Sequence, residues 1–149
     1  MIDDLDKTLE KLLRQALPQE LISQITISFA APNDQFPPTS VTLPAIDLFL
    51  YDVRENLNLR SNEWTMKRHS NGTVTKKRPP VRVECSYLVT VWPSESTPNP
   101  VSDEHHLLGE VMKVLLRYAT IPAEVLHGSL KGHESPLPVM SLQIGRLQN

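Results

Sequence analysis

The densest run of one chemistry in this sequence is cationic. Lys67, Arg68, Lys76, Lys77 and Arg78 are five of the fifteen Lys and Arg residues and fall within a dozen positions, with Trp64 and His69 beside them. Such a patch can contact phosphates while an indole stacks on a base. The formal charge is −2 and no RNA- or DNA-binding motif accompanies the patch, so docking on an acidic protein surface is the favoured functional use. A solvated loop is the plain structural alternative. A second set is polar and mixed in sign: Arg54, Glu55, Asn56, Asn58, Arg60, Asn62 and Glu63, with only Leu57 and Leu59 still alternating. That pattern suits the half-exposed end of a strand presented to a neighbour.

Catalytic chemistry finds less support. His105 and His106 are adjacent, so on a helix they point roughly 100° apart and suit one metal poorly. His106 and Glu110 share a helical face, but a site needs a further ligand, which His127 or His133 would supply only through the tertiary fold. The bland reading is a weak surface pair. Pairing Asp47 or Asp52 with Glu55 or Glu63 as acid and base rests on their presence alone. An Asp within an apolar strand must be hydrogen-bonded or paired, and Arg54 and Arg82 are candidate partners. There is no Gly-x-Ser-x-Gly elbow and no phosphate loop, and five glycines leave little scope for backbone cradles. The expectation is a protein that is not an enzyme, with no catalytic, cofactor or metal site. A hydrolase with an unrecognised carboxylate pair is the competing class.

At 149 residues one domain spanning 1–149 is expected, burying about 70% of its unfolded surface. A pI near 6.2 gives no global attraction to nucleic acid or anionic membranes. The one cysteine, Cys85, excludes an internal disulfide framework and reads as a small buried apolar residue. Met1 to Asp6 is acidic and lacks the basic and apolar regions of a secretory signal, and no stretch is apolar enough to span a bilayer. Assembly in the cytoplasm as a soluble protein follows as an expectation.

The elements that position these residues are legible as periodicities. Leu5, Leu9, Leu12, Leu13 and Ala16 predict an amphipathic helix over 3–17, ended by Pro18. Ile25, Ile27 and Phe29 alternate as a first strand, and Ala31 to Thr39 is a loop by its turn residues. Ile46, Leu48 and Leu50 on one face, with Phe49, Tyr51 and Val53 on the other, predict an interior strand buried on both sides. Asn71-Gly72 within 64–78 predicts a protruding basic hairpin or mobile loop. Val81, Val83, Cys85, Tyr87, Val89 and Val91 predict a long strand with one strongly apolar face. Ser102-Asp103-Glu104 reads as a helix start, Leu107, Leu108, Val111, Val114, Leu115 and Tyr118 as the buried stripe, and Pro122 as a stop. Val139 to Ile144 reads as a last strand. The order predicts an α+β domain, a mainly antiparallel or mixed sheet covered by two amphipathic helices. Thirteen prolines, about double the usual proportion, restrict the loops.

Leu48-Phe49-Leu50-Tyr51-Asp52-Val53-Arg54-Glu55-Asn56, followed by Leu59-Arg60-Ser61-Asn62, resembles the N-terminal domain of the cap proteins of phage-tail-like contractile injection systems. Ser86-Tyr87-Leu88-Val89-Thr90 within Val83 to Trp92 is similar to the family's second signature strand, and His106-Leu107-Leu108-Gly109-Glu110-Val111 to the start of its helix. The resemblance spans roughly residues 3 to 145. It implies a structural tail-terminator role, in which a ring, sixfold by expectation, sits on the distal end of the inner tube and sheath and stops their polymerisation. The implied partners are other copies of the chain, the tube and sheath proteins and, as an open option, a second cap subunit. Nucleic acid and direct membrane insertion are not implied. The particle would be assembled in the cytoplasm and then either released or anchored at a membrane. Family members often continue past the last strand, whereas this sequence runs to Asn149, which suggests a short paralogue or one lacking an element that meets the sheath. The interface residues expected on these grounds are Arg54, Glu55, Asn56, Arg60 and Asn62, together with Lys67, Arg68, Lys76, Lys77 and Arg78. A small binding module that uses the basic hairpin for an acidic protein or nucleic acid is the alternative.

Overall fold

A computed structural model describes residues 1–31, 38–57, 65–77, 81–132 and 137–140, with Thr65 and Lys77 described in their backbone only. Helix α1 is Ile2–Ala16, a short α2 is Gln19–Ile22, β1 is Thr26–Ser28 and β2 is Ala45–Glu55. Strands β3, Thr65–Arg68, and β4, Val74–Lys77, precede β5, Val83–Trp92, and α3, Pro100–Arg117. Two 3-10 turns follow at Ala123–Val125 and Gly128–Leu130. The main sheet has the order β1-β2-β5, with β1 parallel to β2 and Ile27 beside Ile46. Asn56 N donates to Arg82 O at 2.8 Å, which sets the end of β2 beside the start of β5 and makes the sheet mixed. The α+β class expected from the sequence is the class observed.

Contacts divide the chain into two compact units, Met1–Phe49 with Val89–Asn149, and Leu50–Leu88. The core lies in the first. It combines Leu9, Leu12, Leu13 and Leu17 with Ile46 and Leu48 of β2, Val91 and Trp92 of β5, and Leu107, Val111 and Val114 of α3. The helical stripes were legible because a 3.6-residue period places these side chains on one face, and burying each is worth about 1.5–3 kcal/mol. Helix α3 begins earlier than expected. Pro100 is the first helical residue, where its missing N–H costs nothing, and the N-cap Asn99 makes no side-chain capping bond. Of the expected last strand, the described part pairs with the segment after α3: Ile121 N donates to Leu137 O at 2.9 Å and Val139 N to Ala119 O at 2.8 Å. Residues 141–144 of that expectation lie outside the described residues.

The two long strands depart from expectation in a common way. Strand β2 is buried on both faces only over Ala45, Ile46, Asp47 and Leu48; Tyr51 is 61% exposed and Val53 46%. Strand β5 mirrors it, with Val83 and Leu88 exposed and Val91 and Trp92 buried, and Val81 before it is 71% exposed. Alternation reports which side chains share a face, not where along the strand another layer stops covering it.

Helix α1 is tied to the 3-10 turns by two hydroxyl residues. The fully buried Thr8 donates from Oγ1 to Asp4 O at 2.7 Å and accepts from His127 N at 3.0 Å. Asp4 Oδ2 accepts from Ser129 N at 3.1 Å and Ser129 Oγ at 2.6 Å, and the Met1 ammonium lies 3.7 Å away. Gly128 sits at φ +56, and a Cβ there would fall on the Asp4 carboxylate. The Ser129 hydroxyl bond is the largest cause of an Asp4 pKa below the usual carboxylate value. Asp47 moves the other way. It is 2% exposed and Oδ1 has no hydrogen-bond partner, so burial raises its pKa despite bonds from Ser28 and Ala30.

Thr8→Val keeps the shape but leaves His127 N unsatisfied, with an expected loss of about 1–3 kcal/mol in denaturant unfolding. Gly128→Ala should destabilise as well, through its positive φ and the displaced Asp4. The two acids act on opposite sides of the pH profile. Asp4, with a depressed folded pKa, contributes stability above its unfolded value that is lost as pH falls through the folded one. Asp47, with a raised folded pKa, reduces stability as pH rises from its unfolded value through the folded one. In Asp47→Asn that second decline should disappear from stability measured against pH, while the acid limb from Asp4 remains.

Candidate assembly interface

The expected interface residues come from the end of β2 and from the hairpin. On β2, Asp52 and Arg54 lie on the same side of the strand, and Arg54 Nε donates to Asp52 Oδ2 at 2.6 Å. That hydrogen bond is the largest cause of a raised Arg54 pKa, with Glu84 of β5 adding attraction. Arg54 is therefore paired with Asp52 of its own strand, although its side chain remains 68% exposed. Arg54 was a candidate partner for an Asp of this strand, and Asp52 is the one it pairs with. Glu55 is exposed, and Asn56 uses its backbone N–H to extend the β2–β5 ladder. Leu57 is 66% exposed. Arg60, Asn62 and Arg78 lie outside the described residues, as do Trp64 and Leu59.

In the hairpin the register is Thr65 opposite Lys77, Met66 opposite Lys76, Lys67 opposite Thr75 and Arg68 opposite Val74. Residues 69–73 close it. His69 N donates to Thr73 O at 2.8 Å, Gly72 N to His69 O at 3.1 Å, and Asn71 Oδ1 accepts from Thr73 N and Oγ1 at 3.1 and 2.6 Å. Gly72 takes φ +84, the conformation that an Asn-Gly tip supplies cheaply. His69 Nε2 and Thr75 Oγ1 are 2.5 Å apart, which adds a side-chain clasp. This register divides the cations. Met66, Arg68, Val74 and Lys76 occupy one face of the pair, and Lys67 and Thr75 the other. Met66 and Val74 are 64% and 47% exposed, so that face is cationic and apolar together. Sequence reasoning saw the charge but not this division, because a face is assigned only once the turn has fixed the register.

Neither set of residues forms a reaction centre. Among the described residues no group of three His, Cys, Asp or Glu could hold a metal. Glu110 ion-pairs with Lys113 at 3.0 Å. Cys85 is half-buried. One surface depression is lined by Pro98 to Ser102 with His105, and another by loop residues 38–43 with Ser94 to Ser96. Neither gathers an acid-base or nucleophilic set. No helix among the described residues is long and apolar enough to cross a membrane.

Among the described residues, then, the exposed end of β2 and the cationic hairpin gather no reaction chemistry. The description of the Pvc16 N-terminal domain family matches residues 4–145. The chain belongs to this family. A solved structure of the sheath/tube terminator of an extracellular contractile injection system, PVC, in its extended state, matches with TM-score 0.60 and 26% identity, covering 86% of this chain and 42% of that one. The tube-terminating cap of the anti-feeding prophage shares the fold with TM-score 0.53 and 23% identity, over 80% of this chain and 38% of that one. This family member thus spans about two-fifths of the solved chains it matches. No curated protein matches it.

The hairpin's turn offers a local test. Nothing lies within 4 Å of a Cβ placed on Gly72, so Gly72→Ala should cost only the left-handed backbone penalty, about 1–2 kcal/mol. Amide exchange is expected to quicken in β3 and β4 and to stay unchanged in α1 and α3.

Proposed function

We propose that this chain is a subunit of a closed, sixfold ring that ends the inner tube and sheath of a phage-tail-like contractile injection particle. The observation that supports this most strongly is the family match over nearly the whole chain, together with its likeness to a sheath/tube terminator. A ring follows physically when one surface of a subunit mates with a different surface of the next and the rotation closes. In this reading residues 1–149 act as one capping domain with a structural and non-catalytic role. Its partners are its own copies, the tube and sheath proteins and, where the particle has one, a second cap subunit. It needs no cofactor, nucleic acid or membrane insertion, and it joins the particle in the cytoplasm.

Arg54, Glu55, Asn56, Arg60 and Asn62 form the contact with a neighbouring subunit or the tube, and the hairpin cations meet an acidic protein surface. Because Arg54 is already bonded to Asp52, reversing its sign would set two acids against each other on one side of the strand. Arg54→Gln with Arg60→Gln is the cleaner variant. It should unfold like the parent and lose capping, since charged groups left facing a complementary surface without partners are costly. A variant that caps normally would remove these residues from the interface.

The ring itself is tested by deleting the gene and imaging the particles. Tubes and sheaths of widely scattered length are expected, and restoration by the parent chain. A length distribution as narrow as the parent's, in a strain without a second cap subunit, would reject the terminator role.

A further inference from the structure

The formal charge of −2 conceals two units of opposite sign. Leu50–Leu88 holds eight Lys and Arg against four Asp and Glu, a net of +4, whereas Met1–Phe49 with Val89–Asn149 holds seven against thirteen, a net of −6. No acid occurs between Glu63 and Glu84, so β3, β4 and their turn carry no carboxylate of their own.

Many acids of the negative unit are already engaged. Asp3 and Asp4 meet the Met1 ammonium, Glu10 pairs with Arg14, Glu110 with Lys113, and Asp47 is buried. Residues 89–109 contain no Lys or Arg, and there Glu95, Asp103 and Glu104 have no paired cation among the described residues. Glu95 and Asp103 are exposed and Glu104 half-exposed, and Asp103 accepts a hydrogen bond from the Thr97 hydroxyl.

We propose that the hairpin face of Met66, Arg68, Val74 and Lys76 in one copy docks on the acidic run Glu95–Glu104 of the next copy. The occupant of the hairpin is then a second copy of this chain. Opposite net charges on two separate units of one molecule make a contact between copies attractive in head-to-tail fashion and repulsive in head-to-head fashion. The exposed Met66 and Val74 supply apolar contact that charge alone would not. This inference rests on the ring reading and names the surfaces that close the ring.

The test mixes isotopically light and heavy full-length protein in equal amounts and treats the mixture with a carbodiimide, which condenses a Lys amine with a carboxylate in direct contact and releases water to the reagent. The expected result is light-to-heavy links from Lys76, on the docking face, to Glu95, Asp103 or Glu104, with Lys67 on the opposite face linking less. They should decline in Arg68→Glu and when salt is raised to about 1 M, where the screening length is about 3 Å. Arg68→Glu with Glu95→Lys in the same chain should restore the links, which a merely unfolded single variant could not explain. Absence of mixed links in the parent, or links insensitive to both Arg68→Glu and salt, would overturn the proposal. If the hairpin lysines instead link to tube or sheath protein on isolated particles, this inference fails while the capping role stands.

Discussion

Strand β2 carries the constraint on which the rest depends: one continuous strand must satisfy the core with its first four residues and solvent with its last five. Ala45, Ile46 and Leu48 are buried and belong to the core that also holds the leucines of α1 and the apolar stripe of α3. Further along the same strand Tyr51, Val53, Arg54 and Glu55 are exposed. Asn56 extends the arrangement by one hydrogen bond, to Arg82, beyond the point at which side-chain burial has ended.

The polar seam between α1 and the 3-10 turns secures the other end of the chain to the core. Thr8 and Asp4 satisfy backbone donors at His127 and Ser129, and the positive φ of Gly128 leaves room for the carboxylate. The buried Thr8 hydroxyl, which bridges Asp4 O and the part-buried His127 N, is the costliest of these to remove. In the hairpin the bonds within the pair are local, made by the Asn71-Gly72 turn and by His69 with Thr75. The two compact units thus carry net charges of opposite sign, −6 and +4.

Much of the fold was readable from periodicity. The leucines of α1 and the stripe of α3 named their buried faces, the alternation of β2 and β5 named the strands, and Asn71-Gly72 located a hairpin. Position along an element was less readable. Pro100 began α3 a turn early, and Val81, Val83, Tyr51 and Val53 were apolar yet uncovered, because a pattern of residue types does not state where the covering layer ends. The links of Thr8 to His127 and Asp4 to Ser129 join residues more than a hundred positions apart, a separation that local patterns cannot encode. Of the candidate interface, the charge was legible and its division between hairpin faces was not. The pairing of Arg54 with Asp52 was legible, because an Asp in an apolar strand needs a partner and Arg54 lies two residues on, on the same face.

The central claim is that this domain ends a tube, and position on the particle is its most direct measure. A labelled copy, made by fusing a compact tag to this chain and imaged on intact particles in the extended state, should appear at one extremity of the tube and sheath only, with averaged density of sixfold symmetry. Label distributed along the sheath, at the opposite end, or absent from assembled particles would contradict the account.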